Sequence, residues 1–125
     1  MKKFLFAAAA CMAALLASAA APAPARSCFH SNQWSSWRAA DDSKLYLKVN
    51  GNETYAVDLR FACPSVRMPD ARLITYIRGS SLICSPLDLD LRVATTSGFQ
   101  SSCIVQSIRK LSTAEAAAIP KQFRP

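Results

Sequence analysis

Residues 45–63, LYLKVNGNETYAVDLRFAC, constrain the fold more than any other stretch of this chain. Apolar and polar residues alternate on both sides of Asn50-Gly51. Leu45, Leu47 and Val49 share one face, with Tyr46 and Lys48 opposite. After the turn, Tyr55, Val57 and Leu59 share a face, with Thr54, Ala56 and Asp58 opposite. Side chains alternate across a strand, so each run reads as a half-buried strand. Asn-Gly accepts positive φ at both central positions of a tight turn, which joins the runs into a hairpin. Asn52 also suits a turn, so the loop holds three or four residues. Beyond the hairpin, Cys63-Pro64 offers a covalent tie to a distant part of the chain.

The N-terminus sets the compartment. Lys2 and Lys3 precede an apolar run from Phe4 to about Leu16, then small residues with Pro22 and Pro24. This is the layout of an export signal: a positive start, an apolar centre and an A-x-A cleavage zone. It covers residues 1–25 and predicts a mature N-terminus between residues 20 and 26. The run is shorter than the ~20 residues of a spanning helix. Ala8-Ala9-Ala10-Cys11 loosely resembles a lipobox, but Met12 to Leu16 continue the apolar run, so Cys11 belongs to the discarded centre. No later run is long and apolar enough to span a membrane. Cleavage removes two of the fifteen basic residues and none of the eight acidic ones, so 13 basic and 8 acidic residues leave a charge of +5. The mature part, 26–125, is one domain with one modest core.

Four cysteines remain: Cys28, Cys63, Cys84 and Cys103. An even count in a small exported domain points to two disulfides. A four-cysteine zinc site is the rival, but zinc ligands come in close pairs and no C-x-x-C occurs here. Four cysteines allow three pairings, and spacing does not choose among them.

The rest of the chain follows the same grammar. Trp34, Trp37 and Arg38 are spaced for a helical turn, but Trp37 to Ala40 reads more simply as a short strand before the Asp41-Asp42-Ser43 turn. Pro64 to Ala71, with two prolines, reads as a crossing loop with one helical turn. Residues 73–77, LITYI, are apolar on both faces and predict a central strand. Residues 81–93 carry Leu87, Leu89, Leu91 and Val93 alternating with Asp88, Asp90 and Arg92, a strand that starts or bends at Pro86. Residues 103–110 predict a last strand, and the three-residue spacing of Val105 and Ile108 predicts a bulge in it. Ser112 with Glu115 makes a capping box for a short helix that Pro120 ends, leaving a basic tail. The fold class is therefore mainly β (α+β): about six antiparallel strands in a curved, barrel-like sheet with a short C-terminal helix and two disulfides.

Few residues carry chemistry. Trp34, Trp37 and Arg38 fit a sugar- or peptide-binding platform and are the candidate binding surface, but the plainer reading is that the two tryptophans plug a small core. His30 is the only histidine. Asp88 and Asp90 lie two apart on the expected strand and share a face; with no third acid or histidine beside them they read as a solvated outer face. No catalytic, metal or cofactor set is legible. Asn52-Glu53-Thr54 is a formal glycosylation sequon without meaning behind a bacterial export signal.

Tyr55-x-Val57-Asp58-Leu59, Cys63-Pro64, Ile83-Cys84-x-x-Leu87-Asp88, Cys103-x-Val105-x-x-Ile108 and Leu111-Ser112-x-x-Glu115…Ile119-Pro120, together with the export signal, resemble an uncharacterised family of small exported bacterial proteins that carries a domain-of-unknown-function label. The resemblance covers the whole mature chain. Members of that family often keep only the cysteines matching Cys63 and Cys103, which implies that these two pair and that Cys28 pairs with Cys84. It brings no activity, cofactor or catalytic residue.

Three function classes follow. The first is a periplasmic or secreted non-enzymatic binding domain, for example an inhibitor of an envelope enzyme, acting as a monomer on a protein or envelope polymer. The second is an envelope structural or stress protein held to an anionic surface by its charge. The third is an enzyme, for which Asp88, Asp90 and His30 are the first suspects. Export separates the chain from nucleic acid, and its charge is spread along the sequence.

Overall fold

A computed structural model describes residues 27–125 of the chain, so the export signal expected over 1–25 and Cys11 lie outside the described residues. Its strands are β1 (Phe29–His30), β2 (Trp34–Ala39), β3 (Lys44–Val49), β4 (Glu53–Leu59), β5 (Arg72–Tyr76), β6 (Leu82–Ile83), β7 (Asp90–Ala94), β8 (Gln100–Cys103) and β9 (Val105–Lys110). One α-helix, α1, spans Thr113–Ala117.

The hairpin forms as its pattern dictates. β3 pairs with β4 from Lys44–Asp58 to Val49–Glu53, which leaves residues 50–52 as a three-residue loop. Asn50 and Gly51 both take positive φ, 51° and 77°. Leu45, Leu47, Val49 and Val57 are 0% exposed, and Tyr55 and Leu59 are buried beside them. Burying each such side chain contributes about 1.5–3 kcal/mol. Phe29, from the two-residue β1, packs its ring 4.7 Å from that of Tyr55.

The described residues form three antiparallel sheets: β2-β3-β4-β9, β5-β7-β8 and the small pair β1-β6. The expected barrel-like sheet is therefore corrected. Only Ile104 separates β8 from β9, so the chain passes from one larger sheet straight into the other. The two outer strands, β2 and β5, do not pair. The segment beside β2 is the 3₁₀ turn Pro64–Arg67 and the chain to Ala71. Pro64 and Pro69 have no N–H to donate, so this segment cannot complete a ladder.

Three local expectations also change. The central strand expected over residues 73–77 is β5, an outer strand, with Tyr76 and Ile77 exposed. The strand expected to start or bend at Pro86 is interrupted there: β6 ends at Ile83, Pro86–Asp88 forms a 3₁₀ turn, and β7 starts only at Asp90. The basic tail is not loose: Lys121–Phe123 forms a 3₁₀ turn, and Arg124 donates to the carbonyls of Ile119 and Ala117 at 2.8 Å. The bulge is where the spacing puts it. Asp58 faces Ser107 and Leu59 faces Val105, so Gln106 is the extra residue.

Cys28 is bonded to Cys84 and Cys63 to Cys103, the pairing that the resemblance implies. Cys63 and Cys103 are buried in the main core, whereas Cys28 is exposed. On the far side of the hairpin, Ala56, Leu111 and Ile119 form a second, smaller cluster with Tyr46, Ala116 and Phe123. The capping box sets α1 over it: Ser112 Oγ accepts from the Glu115 N–H, and Glu115 Oε1 accepts from the Ser112 N–H.

Candidate functional site

The three aromatic and basic residues read from the sequence part company in the structure. Trp34 opens β2 opposite Val49, at a bulge before Ser36. Its ring N–H donates to the Ser36 carbonyl at 3.1 Å, and its half-buried ring packs on the main core. Trp34 is a core plug. Trp37, opposite Leu47, also packs on the core but shows part of its ring to a groove. Arg38, opposite Tyr46, is exposed and makes no ion pair among the described residues.

That groove has a volume of about 440 Å³, within the ~300–1,000 Å³ usual for binding clefts. Trp37, Arg38 and Ala39 form one wall, residues 66–69 and Ala71 the other, and Gln122 and Phe123 the end. Met68 is exposed in it. Sequence reasoning missed this second wall. Two prolines marked 64–71 only as a crossing loop, and Phe123 sat in a stretch read as a basic tail.

The enzyme suspects are engaged by neighbours: Asp88 and Asp90 line one small cleft with Tyr76, Arg78 and Ser80, and His30 is not part of it. Asp88 is exposed, as expected, but it sits in the 3₁₀ turn Pro86–Asp88 and not on a strand. Its Oδ2 accepts from the backbone N–H groups of Cys84 and Ser85, both at 2.9 Å, and from Ser85 Oγ at 3.1 Å. It pins the 3₁₀ turn next to the Cys28–Cys84 bond. Asp88→Ala should therefore cost about 0.5–2 kcal/mol, the usual cost of a lost cap, while Asp90→Ala should cost less than about 1 kcal/mol. Urea unfolding of both variants checks this; equal costs would remove the cap. Asp90 pairs with Arg78 at 2.8 Å and with Arg92 at 3.6 Å. His30 Nδ1 lies 2.9 Å from Ser81 Oγ, and its backbone N–H donates to Gln33 Oε1. No group of three His, Cys, Asp or Glu among the described residues could hold a metal ion.

The other carboxylates are drafted into turns and ion pairs. The Ser43 backbone N–H holds Asp41 below the ordinary carboxylate range. The Lys110 ammonium does so for Glu53, the Thr96 hydroxyl and N–H for Asp70, and the Arg109 guanidinium for Glu115. A catalytic general acid needs the opposite shift. Depressed folded-state values stabilise above the unfolded range and lose that contribution as pH falls through the folded one. Stability is thus expected to hold from pH 8 to about pH 5 and to decline below, as the unfolded chain takes up protons first. Burial pushes the Tyr55 hydroxyl up, so its ionisation costs stability above about pH 10, where the unfolded chain releases its proton first. Urea midpoints across pH 3–11 with the disulfides intact read both limbs; a midpoint that rises on acidification would refute the first.

A family model described as a family of unknown function, DUF6491, matches residues 1–124. The chain belongs to this family. No curated protein and no solved structure matches it. Membership in DUF6491 assigns no activity to the groove, so a functional reading rests on its geometry. The two disulfides point to an oxidising compartment, as for an extracellular or periplasmic protein. No helix among the described residues is long and apolar enough to cross a membrane.

Proposed function

We propose that this DUF6491 chain is a non-enzymatic exported binding domain, of the kind that inhibits an envelope enzyme, and that it contacts its partner through the groove beside β2. The observation that carries this reading is the groove itself, which sets an indole, a guanidinium that makes no ion pair among the described residues and an exposed methionine along one cleft. Aromatic, Arg and Met side chains are the types enriched where proteins meet. The carboxylates support it too, since each is engaged in an ion pair, a turn or a cap.

A second reading is retention on an anionic envelope surface. It is favoured by the same engagement of the acids, which leaves exposed positive charge on Arg38, Arg60, Arg72 and Lys121. Two measurements separate the readings. Capture of envelope proteins by the oxidised chain should fail in Trp37→Ala and Arg38→Glu. Binding to phosphatidylglycerol vesicles should be weak and should vanish with salt, because exposed charges are screened within about 8 Å at physiological ionic strength. Capture indifferent to both substitutions would overturn the groove as the contact surface; tight vesicle binding would favour the second reading.

A further inference from the structure

Among the described residues β2 has a partner on one side only, β3, and the groove runs along its open side. The Ala40 N–H donates to the Lys44 carbonyl at 2.8 Å. Bonded pairs alternate along an antiparallel ladder, so Arg38 and Tyr46 form the next bonded pair. The N–H and C=O groups of Trp37 and Ala39 therefore point away from β3, into the groove. Among the described residues, no other backbone or side-chain group hydrogen-bonds to them. They lie two residues apart, the spacing at which an incoming strand exchanges its own bonds.

The walls specify what such a strand must carry. Side chains on one face of it would lie against Trp37, Val66 and Met68, which are apolar. Those on the other face would lie opposite Arg38, with Arg67 also on the groove wall. Arg67 is mostly exposed and reaches Asp42 only at 3.6 Å; no acid lines the groove. A second copy of this chain fits poorly, because two β2 edges paired about their open residues set Arg38 against Arg38, and like charges directly opposite destabilise.

We infer that the open edge of β2 accepts an extended segment of a partner protein with alternating acidic and apolar side chains, which adds as a fifth strand beside Trp37 and Ala39. This rests on the binding-domain reading above and gives it a partner chemistry.

Three seven-residue peptides, blocked at both ends, test it against the oxidised chain by amide NMR titration. One alternates Glu and Val, one alternates Lys and Val, and one is the Glu-Val peptide N-methylated on every second amide along its bonding edge. The Glu-Val peptide should shift the amides of Trp37 and Ala39 and slow their hydrogen exchange. The Lys-Val peptide should bind at least about tenfold more weakly, because it sets like charge against Arg38. N-methylation should abolish binding, since it removes the donors that an added strand needs. Arg38→Glu, an exposed change that the fold tolerates, should reverse the preference between the first two. Binding of the methylated peptide, equal binding of the Lys-Val peptide, shifts centred elsewhere, or no shift with Glu-Val each overturns the proposal. If capture of envelope proteins still depends on Trp37 while no peptide binds, the strand-addition model falls and the binding-domain reading stands.

Discussion

Replacing Cys63 and Cys103 together by alanine is expected to destabilise the fold by more than about 4 kcal/mol, and replacing Cys28 and Cys84 by clearly less. Loop size alone does not separate the bonds. They close 40 and 56 positions, and the chain-entropy model gives roughly 4 kcal/mol for either. The native side separates them. Cys63 and Cys103 are packed with Leu59, Val66, Leu91 and Val105 in one core cluster, so their loss also removes buried contacts. Cys63 follows the hairpin and Cys103 ends β8, so the bond holds the two larger sheets together. Cys28 is exposed and precedes a strand of only two residues. Without its bond the segment before β2 can fray, and the entropy it regains offsets part of the cost. Exposure also decides the order of reduction. A brief pulse of thiol followed by alkylation and peptide mapping should label Cys28 and Cys84 first, because exchange needs access to a sulfur. Urea midpoints of the two double variants give the comparison. A loss in the Cys28/Cys84 variant equal to or above that of the Cys63/Cys103 variant would mean that the sheets are not held together through the buried bond.

Whether the sequence reveals an element depends on how local its causes are. The β3–β4 hairpin is legible because alternation and the Asn-Gly turn lie within 19 consecutive residues. The helix is legible because Ser112 and Glu115 satisfy each other's backbone donors three residues apart. β1 and β8 are not legible. Phe29–His30 is too short to show a period, and Gln100-Ser101-Ser102 is polar because β8 is exposed until Cys103. The number of sheets is not legible either, since it depends on whether β2 meets β5, and those strands lie more than thirty residues apart. The candidate site shares this mixture. Trp37 and Arg38 stand out by residue type, but the opposing wall comes from residues 66–69 and Ala71 and from Phe123, which only the fold brings to them.

The second large effect is expected at Leu91, and its contrast is Leu87. In the sequence both belong to one apolar alternation, Leu87, Leu89, Leu91 and Val93, and a continuous strand would bury all four. In the fold, Leu89, Leu91 and Val93 are buried, but Leu87 is 96% exposed. The cause is local. Pro86 cannot donate to a ladder, and Asp88 draws the N–H groups of Cys84 and Ser85 onto its carboxylate, which closes a three-residue 3₁₀ turn where the strand would have run. Leu87 is carried on the outside of that turn, and the alternation resumes only at Leu89. Leu91→Ala should accordingly cost about 2–5 kcal/mol, the range for a buried leucine whose cavity closes only in part. Leu87→Ala should stay within about 0.5 kcal/mol, as exposed substitutions do. Chemical denaturation of the two variants under oxidising conditions decides the matter. A Leu87 variant as damaged as the Leu91 one would show that the strand runs unbroken through Pro86 and that the turn held by Asp88 does not form.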